Sequence, residues 1–452
     1  MNSTNTQNIL SPQSQQTGRV RFLWFVRINT LSYSCLADSI FILYAIKLGA
    51  GDFLIGLMSS FIYLTMPLMI FGKRMIQKVG AAHTYGTSWF FRNISAALMI
   101  LAPVAIKQIN QTTGLIILVV GSFGFFGFRS IGFTANTPLI GEITDKSNRG
   151  NYLSKIWLQF TIFNLITLIV LMFVLKQSES TAAFQFIIFA GVIFGILGAL
   201  LVYRIPESIN PKISAGKSIT QSLAYTWKNK RSRKLLFSWS AATSANMLII
   251  PFSMVALKNG YHVSDFNALF FALFHLLGGI AASSFNTIIF DRVGPRPMLI
   301  IYSLGLMSSA VLWIAAPQEL ILFYHAIIFL INGMALAGTN TALSHYFLIA
   351  IPEKERVGTN IFLLIISGAT AGIAGTILGG GLLKLLRIFD LNNLLIYRTF
   401  FVIILLVLIP LFFITKKIER IEDWHVKDVL KILISFSDLR ALFTLNKLEK
   451  NT

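Results

Sequence analysis

The residues of this chain best placed to do chemistry are the few charged side chains that fall inside long apolar runs. Asp38 lies in the first such run, Arg92 in the third and Arg129 in the fourth, with Arg27 nearer the start of the first. At the centre of a spanning helix each costs about 2.5–3.5 kcal/mol on insertion scales, so each calls for a partner or a task. Asp38 is the one carboxylate well inside a predicted helix. At 1.5 Å per residue, Asp38 and Arg129 come to comparable depths, within about two helical turns. Two readings follow from that pairing. Asp38 takes up and releases a proton as Arg129 or a ligand approaches and withdraws, or the two form a static pair that fixes helix packing.

Arg92 stands eight residues from the start of its predicted helix. Its long side chain can snorkel to the interface, which favours a packing role. Facing the interior together with Arg129, it would instead favour an anion, held by forked guanidinium contacts to carboxylate or phosphate. Polar candidates for the interior are Asn136 in the first half of the chain and Asn246, His275, Asn332 and Asn340 in the second. Asparagine in a helix bundle more often bonds a neighbouring helix than a ligand. A lone histidine more often packs than titrates, although His275 carries the one kind of ring that changes charge near neutral pH.

The elements that must position these residues are twelve apolar runs, each long enough to cross the bilayer as a helix of about 20 residues. They fall near 22–48, 53–72, 84–106, 112–140, 152–175 and 182–203, then 235–257, 266–290, 298–316, 319–349, 359–384 and 395–415. With 55% hydrophobic and 12% charged residues and a mean hydropathy of +0.71, the chain is an all-α integral membrane protein. A barrel would need alternating runs of about ten residues, and these runs are continuously apolar. The expected organisation is a disordered lead-in over 1–21 without a signal peptide, a six-helix bundle over 22–203, a basic linker over 204–234, a second six-helix bundle over 235–415 and a basic amphipathic tail over 416–452. The linker carries eight basic residues against the single acid Glu207.

Orientation follows from the basic residues. With the N-terminus inside, 28 of the 38 lysines and arginines lie on the cytoplasmic side, so both termini are expected there. The net charge of +20 then reports topology and contact with anionic lipid, not nucleic acid, for which no soluble reading face is present. Trp24, Trp89, Trp157, Trp239 and Trp313 fall near predicted helix ends, where an amphipathic ring suits the interface. The single cysteine, Cys35, excludes an intramolecular disulfide. No serine elbow, zinc-ligand cluster or paired acidic motif stands out, so neither an enzyme nor a cofactor is expected. Ala215–Gly216–Lys217–Ser218 resembles the end of a phosphate-binding loop, but Pro211 occupies its first glycine position.

The two halves repeat at an offset of a little over two hundred residues. Arg149–Gly150 and Arg356–Gly358 precede the fifth and eleventh runs, and Val79–Gly80 answers Val293–Gly294 before the third and ninth. With twelve runs in two sixes and a central basic linker, the chain resembles the major facilitator superfamily of secondary transporters over its whole membrane length. Asp291, Arg292, Gly294 and Arg296 are similar to that family's signature loop, although Gln77 replaces the aspartate in the first-half copy. Arg129, nine residues before Pro138, is similar to a pattern of proton-coupled exporters. The resemblance implies alternating access, a small-molecule solute, a proton as coupling ion and a monomer, while the absence of a targeting signal together with the positive-inside pattern points to a bacterial inner membrane, with an organelle membrane as the alternative. The resemblance also implies a latch at Asp291 that bonds a neighbouring helix end or arginine. An organic anion is one substrate class; a drug exporter of the same fold, or a receptor that binds without transporting, are the alternatives. Gly368, Gly372, Gly375 and Gly379 form a stripe in the eleventh run that would let helices approach closely. The fifth run has no glycine to match it.

Overall fold

A computed structural model describes residues 10–36, 39–144, 149–215, 219–389, 392–420 and 424–429. Its architecture is the expected one, twelve membrane helices in two sixes. The first six are α1, Pro12–Leu36 with its continuation Ser39–Lys47; α2, Asp52–Val79; α3, Ala81–Gln108; α4, Gln111–Ile143; α5, Arg149–Gln177; and α6, Thr181–Tyr203. After short linker helices at Asn210–Ala215 and Ile219–Lys228 come α7, Lys230–Gly260; α8, Asp265–Val293; α9, Pro295–Ile314; α10, Leu322–Ala350; α11, Glu353–Ile373 running on to Leu386; and α12, Asn393–Lys416. The helices from α2 onward each hold a stretch long and apolar enough to cross a bilayer. The chain divides into two compact units, Met1–Ile219 with Ser264–Leu269, and Thr220–Val263 with Phe270–Thr452.

Three sequence expectations need correction. The lead-in was expected to be disordered to residue 21, yet α1 begins at Pro12, a residue whose fixed φ suits the first helical position. Its first turns are covered: Gln15 and Gly18 are buried, and Arg19 Nη1 donates to the Ile143 carbonyl at 3.3 Å. The basic linker likewise ends early, because Lys230–Lys234 already form the first turn of α7, capped by Asn229. Finally, Trp24 and Trp157 are exposed as interface anchors should be, but Trp89, Trp239 and Trp313 are buried in their units. Trp89 lies well inside α3 because that helix starts at Ala81, earlier than its apolar run implied.

Each unit has its own apolar core, and both cores gather where the odd-numbered helices begin. In the first unit Phe22, Phe25, Ala81, Tyr85, Leu139, Ile143 and Val202 join α1, α3, α4 and α6. In the second, Leu235, Trp239, Met298, Tyr302, Leu343, Phe347 and Ile418 join α7, α9, α10 and the chain just after α12.

The sequence repeat is also a geometric one. The Val-Gly pairs, a slight match as letters, end in two glycines with nearly the same left-handed backbone: Gly80 at φ 99°, ψ 173° and Gly294 at φ 85°, ψ 162°. Each is the N-cap of the following helix, α3 or α9, and takes a conformation that only glycine adopts freely. Glycine also brings the corresponding helices together in each unit, at points about two turns apart along them. A Cβ added at Gly72 in α2 would collide with the Ile131 carbonyl of α4, and one at Gly278 in α8 would collide with the Leu330 carbonyl of α10.

The linker closes the first unit. Glu207 Oε2 accepts the N–H groups of Ala81 at 2.6 Å and Ala82 at 3.1 Å, satisfying donors that the start of α3 leaves open. His83 Nδ1 lies 3.7 Å from the other carboxylate oxygen. In the second unit the corresponding helix begins with Pro295, which has no N–H to satisfy. The glycine stripe of α11 behaves in part as expected. Gly379 leaves room for the ring of Phe252 in α7, but Ala374–Gly381 is wound as a π-helix, so the even four-residue spacing is lost there.

Candidate functional site

In the first unit α3 packs along α4, which brings two arginines to similar depth. Arg92 is about 16 Å from the start of α3, and Arg129 about 21 Å from the end of α4 at Ile143. The guanidinium of Arg92 does not snorkel; the residue is 1% exposed. Its carbon sits 4.9 Å from the ring centre of Trp89 and 4.7 Å from that of Phe125, so two aromatic faces carry much of its charge. Nη2 donates to Ser32 Oγ at 3.3 Å, while Nε is buried without a partner. Arg129 lies 5.4 Å from the ring of Phe133, and its Nη1 is also buried and unpartnered.

The two arginines act on each other electrostatically, and Tyr85 is within the field of both. Tyr85 donates to Asn136 Oδ1 at 3.3 Å, which places that candidate in the same cluster. Among the described residues no carboxylate forms an ion pair with Arg92 or Arg129. Asp38, the partner expected from sequence, lies outside the described residues. Arg27 is otherwise engaged, with Nε donating to Gln159 Oε1 at 2.8 Å. Two guanidinium donors deep in an apolar bundle, both short of acceptors, are suited to receive an anion.

In the second unit the interior polar residues form a seam. Along α10, His325, Asn332 and Thr339 recur every seven residues, about 10 Å apart on one face, and all are buried. Along α7, Asn246 and Ser253 recur at the same interval. The rungs meet: Asn246 Nδ2 donates to Thr339 Oγ1 at 3.2 Å, and Asn332 Nδ2 donates to Ser253 Oγ at 3.1 Å. Ser253 also accepts from Trp313 Nε1 at 2.9 Å and gives its own proton to the Ile249 carbonyl. Each amide is therefore held with its oxygen turned away from the rung, and both Asn246 Oδ1 and Asn332 Oδ1 are buried without a donor. His275 in α8 has a buried, unpartnered Nδ1. Asn340 is exposed and takes no part in the seam.

Across residues 27–376 the sequence matches the model of the Major Facilitator Superfamily. The chain belongs to the major facilitator superfamily. As a superfamily member it is a multi-pass membrane transporter of small solutes. Its fold is similar to that of the nucleoside transporter NupG in a mutant form, at a TM-score of 0.69 and 13% identity over 89% of this chain and 100% of that one. It is similar also to a bacterial homologue of the human lysosomal transporter Spinster, solved inward-facing and unoccupied, at 0.59 and 13% identity over 92% and 100%. A D-xylose–proton symporter matches at 0.59 and 13% identity over 86% and 96%. At such identities the likeness is one of fold. A search of curated proteins returns no match.

In the loop whose sequence resembles the superfamily's signature, Gly294 caps α9 and Arg296 Nη2 donates to the Lys416 carbonyl at 3.3 Å, holding the end of α12. The side chains of Asp291 and Arg292, and with them the expected latch, lie outside the described residues. Among the described residues no cluster of His, Cys, Asp and Glu is placed to hold a metal. Sequence reasoning missed Ser32, Trp89 and Phe125 around Arg92, since serine and aromatic residues are common in any membrane helix. It also missed Ser253 and His325, and there a signal existed in the seven-residue spacing of His325, Asn332 and Thr339.

Proposed function

We propose that this transporter is a proton-coupled secondary transporter of a small organic anion, working by alternating access from a bacterial inner membrane with both termini in the cytoplasm. The observation that carries the reading is the pair of guanidinium groups, fully buried on Arg92 and half-buried on Arg129, each with a buried donor atom that no protein group satisfies. A buried donor left unpaired costs about 1–3 kcal/mol, and more when charged, so an acceptor supplied by a solute is stabilising there. Carboxylate and phosphate oxygens are the acceptors that match a guanidinium fork. The proton symporter among proteins of similar fold supports the choice of coupling ion, and the eight basic residues of the linker support the orientation.

A thermal-shift screen of the purified protein against carboxylated, phosphorylated, cationic and neutral solutes tests it, because a ligand of the native state raises the melting temperature. A carboxylated or phosphorylated solute is expected to stabilise the protein, to lose that effect in Arg129→Ala and to keep part of it in Arg129→Lys. Stabilisation by neutral or cationic solutes alone, unchanged in Arg129→Ala, would overturn the anion reading. Flux of the hit into proteoliposomes separates transport from mere binding.

A further inference from the structure

His325 opens the polar seam of the second unit and is its one titratable member among the three on α10. It is 0% exposed. Its Nδ1 lies 2.9 Å from the Ile321 carbonyl, an oxygen that can only accept, so the ring proton resides on Nδ1. Nε2 is then a bare lone pair, and it is buried with no donor in reach. A neutral imidazole whose second nitrogen is meant only for packing gains nothing from that arrangement, because an unsatisfied buried acceptor is destabilising.

The surroundings are aromatic on several sides. Ring centres lie at 4.6 Å for Tyr261, 5.5 Å for Tyr324, 5.6 Å for Trp313 and 6.3 Å for Phe271, all tilted between 63° and 73° to the imidazole. In such tilted pairs the electropositive edge of one ring meets the π face of another. An imidazolium has edges far more positive than a neutral ring, and a cage of this kind is the surrounding that accepts a cation without a carboxylate. Burial opposes the charge, and π faces turned to the imidazolium edges act against that cost.

The other polar groups around the ring are already committed. The hydroxyl of Tyr261 donates to the Pro317 carbonyl at 2.6 Å, and that of Tyr324 to the Leu312 carbonyl at 2.6 Å. From α12, Arg398 donates to the Ala316 carbonyl, next to the stretch that Tyr261 holds. From α8 comes Phe271, with His275 one turn further along. From α9 comes Trp313, whose N–H is spent on Ser253. Arg398 is thus the one nearby cation among these groups. None of them is a donor free to satisfy Nε2.

We propose that Nε2 of His325 is a proton-binding site, the point where the second unit takes up the coupling ion. The step balances simply: one proton from water adds to the Nε2 lone pair, the ring becomes an imidazolium with both N–H groups in place, and release reverses it. The assignment rests on the proton-coupled reading above for its use, but not for its existence. Asn332, two turns further along the same face, presents an unpaired Oδ1 in the same seam.

The test is nitrogen NMR of the full-length protein in lipid nanodiscs, with all six histidines labelled with ¹⁵N, titrated from pH 8 to pH 5. His325→Gln identifies the resonance, and if that variant fails to fold, replacing His83, His262, His275, His345 and His425 by Gln one at a time assigns the other five and leaves His325 by elimination. The expected result is an Nε2 signal that moves from the unprotonated to the protonated range on acidification and is missing in His325→Gln. An Nε2 signal that stays in the unprotonated range throughout would overturn the site. Solute uptake driven by a pH gradient, measured in proteoliposomes, keeps the two readings apart. Titration without pH-driven uptake leaves the site standing and sinks the coupling; pH-driven uptake with an unmoved His325 overturns the site alone.

Discussion

Two interior clusters, the arginine pair of the first unit and the α7–α10 seam of the second, sit on a shared scaffold and differ in what their buried polar atoms lack. Both units set a left-handed glycine ahead of an odd-numbered helix, at Gly80 and Gly294, and both use a glycine to bring two helices into backbone contact, at Gly72 and Gly278. Yet the first unit leaves donors unsatisfied, on Arg92 and Arg129, whereas the α7–α10 seam of the second leaves acceptors, on Asn246, Asn332 and His325. Setting Gly132 of α4 against Gly338 of α10, each beneath an aromatic ring, puts Val119, Phe126 and Phe133 where the second unit has His325, Asn332 and Thr339. Backbone approach tolerates little change, because a single added carbon collides. Side chains lining a seam can change chemistry while the approach is kept, and here they have done so in opposite senses.

The largest effect is expected where the contrast is sharpest. Arg92→Met should cut the affinity for an anionic solute by about tenfold to a hundredfold, the worth of a hydrogen bond to a charged group, as read by titration calorimetry. The same variant should raise the melting temperature of the empty protein, since an apolar side chain of similar length replaces a charge that lacks a full set of partners. A fall in both would mean that Arg92 is simply structural. A middle-sized effect tests the shared scaffold. Gly72→Ala and Gly278→Ala should each cost about 1–3 kcal/mol, as overpacking does, and by similar amounts; a large cost in one unit alone would break the parallel between the two contacts.

The smallest effect lies at the edge of the second unit. Lys234 Nζ at 2.9 Å and Arg231 Nε at 3.1 Å clasp Glu419, just beyond α12. Their hydrogen bonds, Lys234's foremost, hold the Glu419 carboxyl below the usual glutamate value of 4.5. A depressed carboxylate stabilises the fold above its unfolded pKa and ceases to do so as pH falls through the lower folded value. Glu419→Gln should therefore cost no more than about 1 kcal/mol near neutral pH, the range for exposed pairs. The difference in melting temperature from the parent should vanish on acidification below pH 4.5. A difference that persists there would assign the loss to packing.

Most of the fold was legible in the sequence because bilayer thickness imposes a length on every apolar run, and most run ends fall within a few residues of the helix ends. The errors sit where helices leave the bilayer and polarity no longer marks an end, as at Pro12, Ala81 and Lys230. The site was less legible. Arg92 and Arg129 announced themselves by charge, and Asn246 and Asn332 by polarity in apolar surroundings. The aromatic faces beside Arg92 could not be distinguished from the many other aromatics, since what matters is which rings share a depth on neighbouring helices. His325 sits close to the start of its helix, where a histidine passes as an interface residue. Its full burial draws on Trp313 from the preceding helix and on Tyr261 and Phe271, brought in by chain segments remote in sequence.

Glu207 bears on the order in which the protein can be made. The open N–H groups at the start of α3 are satisfied by a carboxylate 126 and 125 residues downstream, and a ribosome delivers a chain from its N-terminus at about 5–20 residues per second. For the several seconds that separate those positions, α3 has no carboxylate to finish it. Once the linker emerges, the start of α3 acquires its acceptor while most of the second six helices are still unmade. The basic stretch between the halves thereby serves as the stitch that finishes α3 before it becomes the tether of the second half.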